Sequence, residues 1–407
     1  MHPELEGKRV LVTGATGFIG GRLVEHLILH CGADVRALMS TYTNASRIAR
    51  FPVEMVQADI RNAEDVRRAA RGCDVIFHCA YGNRGTDEER RSVNVGGTRN
   101  VLDAALGEQA LRVVHMSTLV VYGAAVEGEL DESAPRRYSG SNYSDTKLDA
   151  EKLVFEYAER GLPVVVLQPT AVYGPFAPSW TVSVIETLKR HRMILVNGGD
   201  GLSNPVYVDD VVNAMLLASY QPEAVGEAFL VSGGERVTWS DFYRRFEAMI
   251  GEPSTVNMSA AEARGFNERA SQRSTFMMEF LRILREHPEI RKRLQKTFPL
   301  APMLSVAKPV LGPLKRMLKL GRTKSVDPRA PIEPKTAEKP VKALRPAQVD
   351  FFAAKTDVRI DKARDLLGYR PQFDFERGME ITETWARWAN LLDGSDAAKR
   401  IGRDLSR

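Results

Sequence analysis

The sequence predicts an α/β fold built on a doubly wound parallel sheet, followed by a smaller lobe. Three observations carry that expectation. Short apolar runs alternate with helix-like stretches through the first half of the chain. A glycine-rich turn follows the first run. The 407 residues, 43% of them hydrophobic, suffice for a large core in two lobes. Strands that alternate with helices indicate a parallel sheet covered on both faces.

The first strand, Val10–Thr13, runs into Thr13-Gly14-Ala15-Thr16-Gly17-Phe18-Ile19-Gly20, and an amphipathic stretch, Arg22–Leu29, comes next. Strand, glycine turn and helix in that order let backbone N–H groups approach a pyrophosphate. Gly14 allows the tight turn, Gly17 removes a side chain that would block the phosphate, and Gly20 lets the helix pack on the sheet. Further strands are expected at Val35–Met39, Val53–Gln57, Val75–Cys79, Val113–Ser117 and Val164–Gln168, with helices at Ala63–Ala70 and Arg99–Leu106. Tyr143-Ser144-Asp145-Thr146-Lys147 sets a tyrosine and a lysine four apart on one helix face, and Leu148, Leu153, Val154 and Tyr157 continue the helical pattern. A protonated lysine beside a phenol favours the phenolate and lowers its pKa. The strand at Val113 delivers a hydroxyl pair, Ser117 and Thr118, ahead of that helix.

The net charge of +5 hides an asymmetry. Residues 270–346 hold 18 Lys/Arg against 6 Asp/Glu, a local +12 that leaves the rest of the chain at −7. The basic character belongs to one segment, so nucleic-acid binding by the whole protein is not expected. Cys31, Cys73 and Cys79 lack paired metal spacing, and no metal site is expected. The first residues have neither the basic nor the apolar region of a secretory signal. No run reaches the roughly 18 apolar residues of a membrane span. The expectation is a reduced, cytoplasmic protein.

With these motifs in order, the chain resembles the extended short-chain dehydrogenase/reductase superfamily, specifically its NAD-dependent epimerase/dehydratase group. The glycine turn, Asp59 after the third strand and Val75-Ile76-Phe77-His78-Cys79-Ala80 carry the likeness. So do Asn94-Val95-Gly96-Gly97-Thr98, Ser117-Thr118-Leu119-Val120-Val121-Tyr122-Gly123, the Tyr143–Lys147 pair, Pro169–Pro175 and Val206–Asp210. A closing signature runs from Asp357 to Pro371. The resemblance implies a Rossmann-type fold and a catalytic set of Thr118, Tyr143 and Lys147. Thr118 would hydrogen-bond the substrate oxygen and Tyr143 would move the proton, while Lys147 would also hold the nicotinamide ribose. Ser117 would support the strand. Asn94 matches an asparagine assigned to a helix kink or proton relay, with a plain helix-start role as the alternative. The cofactor set implied is Gly14, Thr16, Gly17, Phe18, Ile19, Gly20, Asp59, Ile60 and Ala80, joined by Tyr143 and Lys147. Asp59 would accept from the adenine amino group beside Ile60; the alternative is an acid that starts the next helix. Asp209 and Asp210 read as structural acids at a helix start.

The end of the second strand should choose between NAD and NADP. NAD-selective members place an acid there; here Met39 takes that position and Ser40 follows, with Arg36 and Arg47 nearby. The local residues leave NAD and NADP open, and the resemblance favours NAD. Dehydratases of the group carry Thr-Asp-Glu where this chain has Thr118-Leu119-Val120, so that chemistry is not expected. Nucleotide-sugar epimerases hold the pyrophosphate with an arginine that falls at Ser203 here, and with a second one near Ala347–Asp350 that is also missing. The usual Leu-Arg-Pro arginine is Gln168. The expected function is an NAD(P)-dependent oxidoreductase that passes hydride at a secondary alcohol or ketone. The alternatives are a nucleotide-sugar epimerase working through a transient ketone and a non-catalytic nucleotide sensor.

The expected organisation is a cofactor domain over residues 1–175, rejoined by 203–231, and a substrate lobe over 176–202 and 232–395. Within that lobe lies a basic insert and linker at 253–350. From Arg291 to Val326 there are ten Lys/Arg and no acid, interleaved with Leu, Met, Val and Phe. The insert reads as a helical lid, or as a segment over 277–324 that makes peripheral contact with an anionic membrane at its inner face. Nucleic-acid contact is the third reading, with no stacking aromatics or base-reading motif to support it. The expected partner is a small-molecule substrate, either amphiphilic or nucleotide-linked. A homodimer is left open.

Overall fold

The computed structural model describes residues 2–123, 126–271 and 339–392. Contacts divide the chain into two units: residues 1–263 with 340–407, and residues 264–339. Everything below concerns the first. The expectations for 277–324 lie outside the described residues.

The strands in chain order are β1 Arg9–Thr13, β2 Asp34–Met39, β3 Glu54–Gln57, β4 Val75–His78, β5 Arg112–Met116, β6 Gly128–Leu130, β7 Val164–Pro169, β8 Ala171–Tyr173, β9 Arg192–Val196, β10 Pro205–Tyr207, β11 Ala228–Val231, β12 Thr255–Met258, β13 Val341–Lys342 and β14 Thr356–Val358. Seven of them form one parallel sheet in the order β11-β7-β5-β4-β1-β2-β3. The order reverses between β1 and β4, so the carboxyl ends of those two strands border the crevice where such sheets bind ligands. β4, β5 and β7 are buried along their whole length, as a sheet covered on both faces requires. This is the doubly wound α/β fold that the sequence predicts.

Through residue 250 the α-helices are α1 Phe18–His30, α2 Ala63–Ala70, α3 Asp87–Arg91, α4 Gly97–Gly107, α5 Asn142–Glu159, α6 Ser183–Arg190, α7 Val208–Tyr220 and α8 Trp239–Ile250. On one side of the sheet, Val66, Val101, Leu102, Leu153 and Tyr157 close over Leu11, Ile76 and Val113 in a continuous core. α1 and α7 pack together, and a bidentate ion pair from Arg22 to Asp209 joins them at 2.6 and 2.8 Å. Asp210 accepts from the backbone N–H groups of Gln372 and Phe373. Both acids at the start of α7 are therefore tied into the scaffold.

Three smaller sheets, β8–β10, β12–β9–β13 and β14–β6, join segments distant in the chain. Helix Pro346–Ala353 and β14 bring the closing signature back against this region.

Candidate active site

The first strand delivers its chain into a turn that only glycine fits. Gly14 has φ +67°, and a Cβ there would lie 2.8 Å from the Ala80 nitrogen and the Cys79 carbonyl carbon. The turn thus sits directly against the end of β4. A Cβ at Gly20 would lie 2.4 Å from the Gly14 carbonyl oxygen. Gly20 therefore fits α1 against the turn itself, where the sequence reading had it facing the sheet. Gly17 precedes α1 in extended conformation, and no side chain caps the helix. The first amides of α1, flanked by half-buried Thr16, Phe18 and Ile19, are left to an anion. A neutral His78 braces the same corner. Its two ring nitrogens meet the hydroxyls of Thr13 (2.8 Å) and Thr98 (2.9 Å), and burial pushes its pKa down to about 3. The Ala80 N–H donates to Thr13 as well.

Asp59 is exposed and takes a bidentate contact from Arg61, which lowers its pKa. The helix-start role belongs instead to Asn62, whose Oδ1 accepts from the N–H groups of Glu64 and Asp65. Ile60 is buried against Gly97, where a Cβ would approach its Cγ2 to 2.8 Å.

At the end of β2 the structure corrects the sequence reading. Met39 is 2% exposed, turned into the core, and the exposed residue at the strand's end is Ser40. Neither nearby arginine is free. Arg36 donates to the carbonyls of Ala69 and Arg71, and Arg47 pairs with buried Glu25.

Thr118, Tyr143 and Lys147 converge at the carboxyl end of β5. Thr118 is extended and buried, immediately before the helical turn Leu119–Tyr122. Tyr143 opens the first turn of α5 and Lys147 follows one turn later. Tyr143 is 39% exposed as a residue; desolvation of its phenol at the cavity raises its pKa, and the neighbouring Thr118 hydroxyl opposes that rise. Lys147 donates to the Met116 carbonyl at 2.7 Å, and burial lowers its pKa to about 8.

Asn94 lies in a π-helical turn, Ser92–Gly96, between α3 and α4. Its side chain clamps Gly82, accepting from the N–H at 2.7 Å and donating to the carbonyl at 3.1 Å, and also donates to Thr146. The residue ties this π-helical turn to the loop after β4, and that loop carries Tyr81 beside Tyr143. Sequence reasoning passed over Tyr81. It also passed over Glu151, fully buried one turn beyond Lys147. Glu151 accepts from Ser117 (2.5 Å), Gln168 (2.9 and 3.0 Å) and Arg136. Ser117 is thus engaged with the buried acid, while Thr118 lines the cavity with Tyr143. The repeat Tyr143, Lys147, Glu151 at four-residue steps was the signal for the buried acid.

A cavity of about 150 Å³ opens at the Thr118–Tyr143 pair. Trp180, Leu202, Ser203 and Phe351 line it from the substrate side.

The family model described as NAD dependent epimerase/dehydratase matches residues 10–232, more than half of the chain. The chain belongs to this family. It is 31% identical to 4-hydroxy-2-methyl-3-oxo-4-farnesyl-3,4-dihydroquinoline-1-oxide ketoreductase of Stigmatella aurantiaca, over 58% of this chain and 71% of the relative. It is 32% identical to sterol demethylase protein B of Methylococcus capsulatus, over 60% of this chain and 75% of that protein. Among solved structures, an epimerase of Methanothermobacter thermautotrophicus superposes with a TM-score of 0.66 at 20% identity, covering 96% of each chain. That last likeness concerns the fold. No helix among the described residues is long and apolar enough to cross a membrane.

Proposed function

We propose that the protein is an NAD(P)-dependent oxidoreductase acting at a secondary alcohol or ketone carbon, with Tyr143 as acid and base. The observation that carries this reading is the hydroxyl pair of Thr118 and Tyr143 at the mouth of a cavity, with buried Lys147 one helical turn behind. The cofactor cradle fits a dinucleotide: glycine where a Cβ would fill the turn, and a helix start with no side chain of its own over its amides. When bound, the nicotinamide supplies or accepts the hydride. Gly14, Thr16, Gly17, Phe18, Ile19 and Gly20 would hold the pyrophosphate, with Asp59, Ile60 and Ala80 along the rest of the molecule. Tyr143 would give its proton to the carbonyl oxygen in reduction and take it back in oxidation, and Thr118 would orient that oxygen. Lys147 would bind ribose hydroxyls, and its charge would favour the phenolate as the proton leaves. Residues 1–175 with 203–231 would then serve the cofactor, and 176–202 with 232–395 the substrate.

Relatives named as reductases favour net oxidation or reduction. The nucleotide-sugar epimerase reading has fold neighbours in its favour, including one solved with UDP-glucuronic acid and NAD. Against it, the Ser203 hydroxyl donates to the Val237 carbonyl, and no ionised side chain is among the described residues lining the cavity. Turnover with stoichiometric change in NAD(P)H absorbance is the expected result. An isomerised product with no net change in the cofactor would overturn it in favour of the epimerase. Tyr143→Phe should retain dinucleotide binding and lose roughly 10²–10⁴-fold in rate.

A further inference from the structure

We infer that the cavity takes an uncharged, flat, apolar carbonyl compound or its secondary alcohol. The ring body would lie along Trp180 and Phe351 and the single reacting oxygen at the Thr118–Tyr143 pair. This rests on the hydride-transfer reading above and names its substrate class.

The argument begins with the polar atoms of the wall. Besides Thr118 and Tyr143, four polar side chains line the cavity: Thr170, Ser203, Asn204 and Thr356. Each is spent on the main chain. Thr170 donates to the Val231 carbonyl, Ser203 to Val237, Asn204 to Thr356 and Thr356 to Val126. No Asp, Glu, Lys, Arg or His is among the described residues of the lining. A phosphate or carboxylate placed here would lose its water and gain no counter-charge, with only the Thr118–Tyr143 hydroxyls and the Trp180 indole N–H to donate to it. Along the cavity's length, the hydroxyl and amide donors of these four residues are therefore taken up by the main chain, and the Trp180 indole N–H is the remaining side-chain donor among the described lining residues.

The opposite wall is aromatic. Trp180 and Phe351 stack with their planes 30° apart and centroids separated by 6.3 Å. Trp180 also packs on Trp239 at 5.2 Å and on Phe242 at 6.1 Å, neither of which lines the cavity, so its ring is held by neighbours outside the lining. Both wall residues are only half-buried, leaving ring surface for a ligand. Rigid aromatic surface held in this way favours flat apolar partners. At about 150 Å³ the cavity receives the reacting end of a molecule, smaller than the space that encloses a drug-sized ligand.

The test uses the full-length protein titrated calorimetrically with 2-tetralone in the presence of NADH or NADPH and with UDP-glucose in the presence of NAD+ or NADP+, each followed by absorbance for turnover. Tetralone should bind and UDP-glucose should not. Trp180→Ala and Phe351→Leu should each raise the tetralone Kd about tenfold or more while leaving dinucleotide affinity unchanged. The second change is the conservative one, kept in case the first does not fold. Tetralone that fails to bind up to about 1 mM, UDP-glucose that binds more tightly, or a tetralone Kd unmoved by both variants overturns the substrate class. Tetralone that binds through the wall but is not reduced keeps the class and removes the hydride-transfer reading. UDP-glucose bound and oxidised does the reverse.

Discussion

The ring of Tyr81 meets that of Tyr143 edge to face, at 5.1 Å between centroids and 89° between planes, while Lys147 Nζ lies 5.2 Å from the centre of the Tyr81 ring. One side chain from the loop after β4 therefore touches both members of the helix pair. Asn94, which clamps Gly82 next door, fixes that loop from the π-helical turn. The chain of contacts makes Tyr81 a positioning residue for Tyr143 and Lys147. A ring face within about 6 Å supports an ammonium by roughly 0.5–2 kcal/mol, the larger figure applying where water is excluded.

If Lys147, its pKa lowered by burial to about 8, sets the alkaline limb of the rate profile, Tyr81→Leu should move that limb to lower pH by about half a unit to one unit. Tyr81→Phe keeps the ring and should restore the limb. The pH profile of kcat/KM for both variants is the measurement. A merely structural role would lower the rate without moving the limb.

At Thr118 the hydroxyl matters and the methyl does not. Thr118→Ser should remain within a few-fold of the parent rate. Thr118→Val has nearly the same shape but removes the hydrogen bond that opposes the rise in the Tyr143 pKa. It should cost roughly tenfold or more in kcat/KM, since one hydrogen bond contributes about 0.5–1.5 kcal/mol and more when charge develops on its acceptor. Steady-state kinetics on the pair decides it; equal rates in Ser and Val would contradict the role.

The large sheet was legible because its strands are local and apolar. Val10–Thr13, Val75–Cys79 and Val164–Gln168 lie within a residue or two of the observed β1, β4 and β7, and the predicted helix Ala63–Ala70 matches α2. β11 and the three small sheets were not legible in the same way. β14 is three residues long and pairs with Gly128–Leu130, more than 200 residues earlier, so no local period announces it. The Tyr143–Lys147 pair and the glycine turn carry spacing signals. Tyr81 carries none, because it comes to Tyr143 through the end of a neighbouring strand. Met39 shows the opposite failure. In a sheet buried on both faces all but the first residue of β2 is covered, so the strand's end alone does not say which residue faces outward.

The cofactor preference follows from that correction. With Ser40 exposed and both nearby arginines engaged, the residues at the strand's end discriminate little between a ribose hydroxyl and a ribose phosphate. Ser40→Asp should shift preference toward NAD by about tenfold or more, by accepting from the ribose and repelling a phosphate. Met39→Asp places a carboxylate at a site 2% exposed and should instead destabilise the fold by roughly 3 kcal/mol. Dinucleotide titrations and urea unfolding of both variants separate the two positions. A cofactor switch at residue 39 without loss of stability would show that the acid belongs there after all.

Lys147 makes a prediction about stability that is independent of any substrate. Burial lowers its pKa from 10.5 to about 8, with Cys79 and Glu151 opposing. Charging it therefore costs the folded chain more than the unfolded one. Below pH 8 both states hold the proton and the folded state bears the whole cost. Between about pH 8 and 10.5 the unfolded chain keeps a proton that the folded chain has released, so this group adds stability as the pH rises. The full window corresponds to about 3 kcal/mol at 1.36 kcal/mol per unit, an upper figure for a side chain that also donates to the Met116 carbonyl. Lys147→Met cannot ionise and fills nearly the same volume. Relative to the parent, the variant should be most stable at pH 7 and should lose that advantage by pH 10, whatever the fixed cost of leaving the Met116 carbonyl without its donor. Urea midpoints for both proteins at the two pH values measure the change directly. A stability difference that is the same at pH 7 and pH 10 would mean that Lys147 is not held in the folded protein at a lowered pKa.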